Sequence, residues 1–395
     1  MRVIDVDGHV EESVQTFQFL EREYWPRRPI PVLMPPDTEF GEWNGFWMID
    51  TRARDFGGTP TAMIMARKKG ISAASQELND VAARLRDLDE AGVERQVLIP
   101  SLFMGPVAED PDLEAALMRS YNTFMATQCN QSGGRLFYAA VVPFRRPDQA
   151  VAEIRRVAAA GSCVSVFMRG LEWDKRVDHP SHWPIFEAAE RAGLVMHVHT
   201  GRGSPTIMRL FQGQPRPKYD FPLPPSTDGR PLIGPLLVQF AFNRTMEGGL
   251  IFEFPKLKWV FCELGSEWMV PEMTKLLRTG PGSQFGPRDY RRPFEEQRIY
   301  VTAEPDEDLP YVIRKLGEEC LVCSTDMPHH DTSRHERVEA EFRQRGDLTE
   351  RQLIKILREN GARLFGFPLD DPAAVKDGRA ATGGAGTSQP WMVAR

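Results

Sequence analysis

An α/β fold on a parallel sheet is predicted by three observations. Short, nearly continuous apolar runs recur along the chain, and each after the first follows helical or mixed sequence. The runs number eight, the strand count of a (β/α)8 or TIM barrel. Acids and imidazoles collect at the C-terminal ends of these runs, where the mouth of such a barrel lies. The expected architecture is a distorted TIM barrel with long inserts after its first and fifth strands. A doubly wound open sheet competes with it, but no glycine-rich phosphate-binding fingerprint follows any run.

The first run, "RVIDVDGH" (2–9), places Asp5, Asp7 and His9 at every second position. Alternate strand residues project to one face. Two acids and an imidazole on a buried face are costly unless neutralised, either by a divalent cation or by ion pairs elsewhere in the fold. Residues 10–80 follow as an insert rich in Pro, Trp and Gly, with little periodicity. Its Trp25, Trp43, Phe46, Trp47 and Phe56 suit a pocket wall for a flat or apolar molecule, or an oligomer contact. Trp47 is the candidate substrate-binding residue among them.

The helical "ARLRDLDEAG" (83–92) leads into the second strand, "VERQVLIPS" (93–101). "DLEAALMRSYNTFMATQCN" (112–130) has helical spacing and precedes "RLFYAAVVPF" (135–144). "AVAEIRRVAAAG" precedes "SCVSVFMRG" (162–170), and "HWPIFEAAERAG" precedes "LVMHVHTG" (194–201). Residues 202–236 are again irregular and read as a lid-like loop on the mouth side of the fifth strand. The last strands are "LKWVFCELGS" (257–266), "RIYVTAE" (298–304) and "CLVCSTDMPHHD" (320–331). A helix in "LTERQLIKILRENGARLFG" ends the barrel domain, which spans 1–367. The tail, 368–395, is Gly-rich and ends in "PWMVAR". Such an apolar tip is expected to dock on a groove of its own or a neighbouring subunit.

Composition excludes other classes. Net charge is −6 with no basic block, which argues against nucleic acid as a partner. No apolar run approaches the roughly 18 residues that span a bilayer, and charges enter at Arg2 and Asp5, which does not suit a signal peptide. Five cysteines, an odd number mostly inside apolar runs, fit a reducing cytoplasm. Cys320 and Cys323 read as small buried hydrophobes. His179 and His182 ("DHPSHW") read as capping or surface residues, and His335 as a surface residue.

The remaining polar residues share one placement. Asp7 and His9 close the first strand, His197 and His199 the fifth, Glu263 the sixth, Glu304 the seventh and Asp326 the eighth, with His329 just beyond. Imidazole with carboxylate suits one divalent ion, Zn²⁺ first and Mn²⁺ or Fe²⁺ next. Arg169, ending the fourth strand, would hold a substrate carboxylate bidentately or form a structural ion pair.

"IDVDGH", "HVHTG", "FEFPKLKWVFCELGSEWMVP", "CSTDMPHHD" and "ENGARLFGF" resemble, in that order, the amidohydrolase-2 family. This branch includes aminocarboxymuconate-semialdehyde decarboxylase and related aromatic-acid decarboxylases. The resemblance implies a distorted TIM barrel with one divalent metal, and an assembly of two or more copies. By position, Asp7 and His9 match the strand-one ligands, His199 the strand-five ligand and Asp326 the strand-eight carboxylate. Where the decarboxylases place a histidine at the end of strand six, this chain has Glu263. That carboxylate is a further metal ligand, a general base or the partner of a substrate cation.

The leading expectation is a metal-dependent hydrolase of a small, aromatic or cyclic molecule. Asp326, Glu263 and His329 are its candidate catalytic residues, and Arg169, His197, Glu304 and Trp47 its candidate substrate contacts. A non-oxidative decarboxylase of an aromatic or enoic acid is the alternative, and a non-catalytic binding protein on the same barrel is the third reading.

Overall fold

Eight parallel strands form one sheet in the computed structural model: β1 (Val3–Val10), β2 (Val93–Pro100), β3 (Leu136–Ala140), β4 (Cys163–Met168), β5 (Val195–Val198), β6 (Trp259–Phe261), β7 (Ile299–Ala303) and β8 (Leu321–Cys323). The structure describes residues 1–33, 45–54, 70–207, 230–279, 288–329 and 335–369. Spatial order follows chain order, and the ends meet where Asp326 N–H donates to the Asp7 carbonyl (3.0 Å) and His9 N–H to that of Met327 (2.7 Å). Strands β2 to β8 lie within runs expected from the sequence, and β1 extends one residue past its run, to Val10. The (β/α)8 expectation holds.

The strands form because they are buried on both faces. Every residue of β1 is buried, which explains why the runs read as continuous rather than alternating. Val6, Val195, Val260, Cys262, Tyr300 and Val322 make one cluster, and Leu364 from the C-terminal helical segment packs into it. The helices have local reasons as well. Asp80 caps Val81–Ala91 by accepting from Ala83 N–H (3.0 Å), and Gly92 ends that helix in the left-handed conformation. Asp110 caps Pro111–Cys129, with proline in the first turn.

The first insert is more ordered than its composition suggests. Ile30–Leu33, Gly45–Ile49 and Arg52–Arg54 form a three-stranded antiparallel sheet. Asp50 and Thr51, at φ 50° and 63°, supply the two positive-φ positions of a tight hairpin turn. Trp47 and Ile49 are buried while Phe46 and Met48 are half-buried, the alternation of a one-sided strand.

Trp47 is therefore corrected from pocket wall to core residue. It is fully buried and meets Phe17 edge to face, with ring centroids 5.6 Å apart. Phe17 lies in the turn just after β1, so the pair fastens the small sheet to the first turn of the insert. Trp25 is 43% exposed, and Trp43 and Phe56 lie outside the described residues. Trp47→Ala is expected to destabilise the protein by about 3–5 kcal/mol in urea denaturation, with no change in metal content. A shift below about 1 kcal/mol would contradict this placement.

The irregular reading of 202–236 ran too far, because a helix spans Arg230–Glu247. Residues 208–229 of that segment and 370–395 of the tail lie outside the described residues. The C-terminal helical segment begins with a capping box, Thr349 to Gln352, as Glu350–Ile354, and ends as Asn360–Phe365. Among the described residues no helix is long and apolar enough to cross a membrane. All five cysteines are free and buried.

Candidate metal centre

The base of the site is a hydrogen-bonded layer around Asp5. Its Oδ1 accepts from the N–H groups of Asp7 (3.1 Å) and Thr325 (3.0 Å), and its Oδ2 from Gln96 Nε2 (2.7 Å) and Thr325 Oγ1 (2.5 Å). One carboxylate thus joins β1, β2 and the segment after β8. The buried Arg84 binds Gln96 Oε1 (2.9 Å) and the carbonyls of His9 (2.9 Å) and Met327 (3.0 Å), holding the same three segments. Gly8 permits the close approach. A Cβ there would stand 2.3 Å from Gln96 Nε2.

Above this layer, Asp7, His9 and His199 bring ligand atoms within 4.8 Å of one another, and so do His9, Asp326 and His329. His9 belongs to both groups. His9 Nε2 lies 3.1 Å from Asp326 Oδ1, and His199 Nε2 lies 3.7 Å from Asp7 Oδ2 and 3.0 Å from Glu263 Oε2. His199 Nδ1 is 2.8 Å from the Thr200 carbonyl, which leaves Nε2 to face the cluster. Thr200 Oγ1 donates to Glu263 Oε2. His329 stacks on His9 at 3.7 Å between ring centroids, with Nδ1 2.9 Å from Asp326 Oδ1 and Nε2 3.4 Å from Glu11 Oε1.

These atoms converge without satisfying one another. Both Asp7 oxygens and both His9 ring nitrogens are buried without a well-formed hydrogen bond, the Asp7 carboxylate meeting only the Cys262 thiol, while His199 Nε2 faces the Glu263 carboxylate. Poorly satisfied buried polar groups cost about 1–3 kcal/mol each, so these four atoms in one place are the signature expected of a cation site. The residues present fit a divalent ion. Glu263 and Asp326 also adopt positive φ, 66° and 50°, which is uncommon outside glycine and concentrates at functional positions.

Electrostatics agree with that reading. Burial pushes the Asp7 carboxyl up to about 7. Burial, with the neighbouring His329 and His199, holds His9 well below its usual range. Burial opposes charge on His199, yet Glu263 and Asp7 raise it to about 10. Without a metal, the cluster draws a proton to His199 as its counter-charge.

Several candidate contacts are corrected. Arg169 is not free for a substrate carboxylate: Glu172 accepts from its Nε at 3.2 and 3.1 Å and from its backbone N–H at 2.9 Å. The pair is buried and lines a small cavity with Phe103 and Phe167, so the structural ion pair is the reading that holds. Glu304 binds the imidazole of His335 rather than facing the cluster. His197 is fully buried one layer below His199, with its ring nitrogens at Ser165 Oγ (3.5 Å) and Cys262 Sγ (3.3 Å), which removes it from the substrate side. His179 is a cap, accepting from Ser181 N–H at 3.2 Å, whereas His182 is buried against Phe144.

His335 is not a surface residue either. It sits between Glu304 and Glu341, with Nδ1 2.7 Å from Glu341 Oε2. Burial opposes its charge, but the two carboxylates outweigh it and raise its pKa. A raised histidine pKa stabilises most below the unfolded value near 6.5, and this stability is lost as pH rises through the folded value. The stability gap between wild type and His335→Gln is therefore expected to be full in mild acid and to shrink as pH rises. A gap independent of pH in urea titrations would rule this out.

The sequence reading missed Glu11, Ser101 and Thr200. Glu11 accepts from Ser101 Oγ (3.0 Å) beside His329, and its signal was its place directly after the "DGHV" strand end.

The amidohydrolase family model matches residues 77–367, well over half the chain. The chain belongs to the amidohydrolase family. Among solved structures, an amidohydrolase of Mycobacterium avium subsp. paratuberculosis K-10 superposes with a TM-score of 0.71 at 22% identity, covering 92% of this chain and 98% of its own. The 5-carboxyvanillate decarboxylase of Sphingomonas paucimobilis gives 0.57 at 20% identity, over 92% and 99%. A dihydroxybenzoic acid decarboxylase of Polaromonas sp. JS666, solved with manganese and an inhibitor, gives 0.58 at 18%, over 92% and 97%. No curated protein sequence matches the chain.

Proposed function

We propose that the protein is a metal-dependent hydrolase acting on a carbonyl or amide-like bond of a small aromatic or cyclic molecule. Asp7, His9, His199 and Asp326 hold the ion. One observation carries this reading: orphaned ligand atoms converge beside an Asp326–His329 pair that can accept and relay a proton. A bound divalent ion supplies a Lewis acid that polarises a carbonyl and acidifies water. Asp326 Oδ1, shared between His9 Nε2 (3.1 Å) and His329 Nδ1 (2.9 Å), is placed to take the proton. His329 continues the route to Glu11, 3.4 Å from its Nε2. Glu263 restrains His199 and stands in reach as a second base. The phenyl ring of Phe167, 6.3 Å from the His199 imidazole, offers an apolar wall nearby.

A specific observation favours a second reading, decarboxylation of an aromatic or enoic acid. His329, flanked by Asp326 and Glu11, is placed as a proton donor to carbon, and the solved relatives named above include aromatic-acid decarboxylases. Free buried cysteines support a reducing, cytoplasmic setting for either enzyme.

Metal-loaded protein incubated in H₂¹⁸O with aromatic amides, lactones and hydroxybenzoic acids separates the readings. Solvent oxygen in the product identifies the hydrolase, released CO₂ the decarboxylase, and turnover of none a binding protein. Glu263→Gln is expected to lower turnover by about two to four orders of magnitude with the fold intact. Near-normal turnover would leave Asp326 as sole base.

A further inference from the structure

We propose a second cation site directly beneath the first, formed by Asp7 Oδ1, His197 Nε2 and Cys262 Sγ, so that Asp7 bridges two ions. It rests on the metal reading above only through the shared Asp7 carboxylate.

The adjacent strands β5 and β6 create the juxtaposition. Their register pairs Val198 with Phe261, and Cys262 N–H then donates to the Val198 carbonyl at 2.9 Å. This places the Cys262 sulfur 3.3 Å from His197 Nε2, which in turn lies 4.0 Å from Asp7 Oδ1. The three ligand atoms all fall within 4.8 Å of one another, and all three residues are fully buried.

The Asp7 oxygens diverge. Oδ2 approaches His199 of the upper group (3.7 Å) and Oδ1 approaches His197 of the lower one (4.0 Å), and the carboxylate's one hydrogen-bond donor on this side is the Cys262 thiol. A single ion above would leave the lower side of this carboxylate only a weak S–H donor in the interior, whereas a second ion takes the place of that proton and binds oxygen and sulfur together.

The distances suit zinc-like geometry. With Zn–N near 2.0–2.1 Å and Zn–S near 2.3 Å, tetrahedral N and S ligands stand about 3.5 Å apart, close to the observed 3.3 Å. Tetrahedral N and O ligands stand about 3.3 Å apart, so Asp7 needs to close by roughly 0.7 Å, a small side-chain rotation. Ser165 Oγ, 3.5 Å from His197 Nδ1, orients the ring so that Nε2 faces the ion. The thiolate makes this set softer than the upper one and selects Zn²⁺ or its spectroscopic substitute Co²⁺. As the metal–sulfur bond forms, the Cys262 S–H bond breaks and its proton leaves to solvent.

The test is titration of chelator-treated full-length protein with Co²⁺, followed by near-ultraviolet absorption and by metal analysis after gel filtration. Two equivalents per chain are expected, with a thiolate-to-cobalt charge-transfer band. Cys262→Ser should keep one equivalent and lose the band, and His197→Ala should keep one equivalent. A wild-type protein that takes one equivalent without a sulfur band overturns the second site and leaves the proposed function standing. Retention of no cobalt overturns both. The wild-type spectrum decides the matter even if a variant fails to fold.

Discussion

Asp7→Asn is expected to reduce bound divalent metal from stoichiometric to background levels, with turnover falling in parallel. Removing partners that merely orient a ligand already costs about 10–100-fold in metal affinity, and Asp7 itself offers two buried oxygens to the site. The same variant should behave distinctively without metal. Burial raises the Asp7 carboxyl from its ordinary 3.8 to about 7, so its protonated form is favoured in the folded state. Metal-free wild type therefore loses stability as pH rises from about 4 to about 7, and Asn at this position removes that loss. Elemental analysis and urea denaturation of chelated protein at about pH 5 and about pH 8 measure both effects. Stoichiometric metal in the variant would defeat the assignment of Asp7 as a ligand.

Asp326→Asn is expected to lower turnover by about two to four orders of magnitude while much of the metal stays, because Asp7, His9 and His199 are untouched. Asn also tolerates the positive φ of 50° that Asp326 adopts, so the change tests the carboxylate rather than the backbone. Its amide offers no site for the proton that His329 would otherwise relay. Turnover near that of wild type would move the general base to Glu263. Complete metal loss would show that Asp326 is required chiefly as a ligand.

The barrel was legible because each parallel strand, covered on both faces, reads as an unbroken apolar run. The insert sheet was not, since its strands are three to five residues long and one carries Pro31. Asp7, His9, His199 and Asp326 were legible from alternation and from their position at strand ends. Arg169 and Glu304 occupy the same kind of position and were read the same way. Their neighbours separate them: Glu172, three residues on, folds back onto Arg169, and His335 reaches Glu304 from the segment after β8.

By itself the sequence determined the strands, the end of the barrel on which its acids and imidazoles gather, and the family. Tertiary structure alone decided which of those groups remain unsatisfied. Alternation along a strand places a side chain on a face, but whether it meets a counter-charge there depends on how the following turn and more distant segments fold back over it. Arg169, Glu304 and His335 found such partners. Asp7 and His9 were left with buried ligand atoms that the surrounding protein satisfies poorly, beside a His199 that turns the same way.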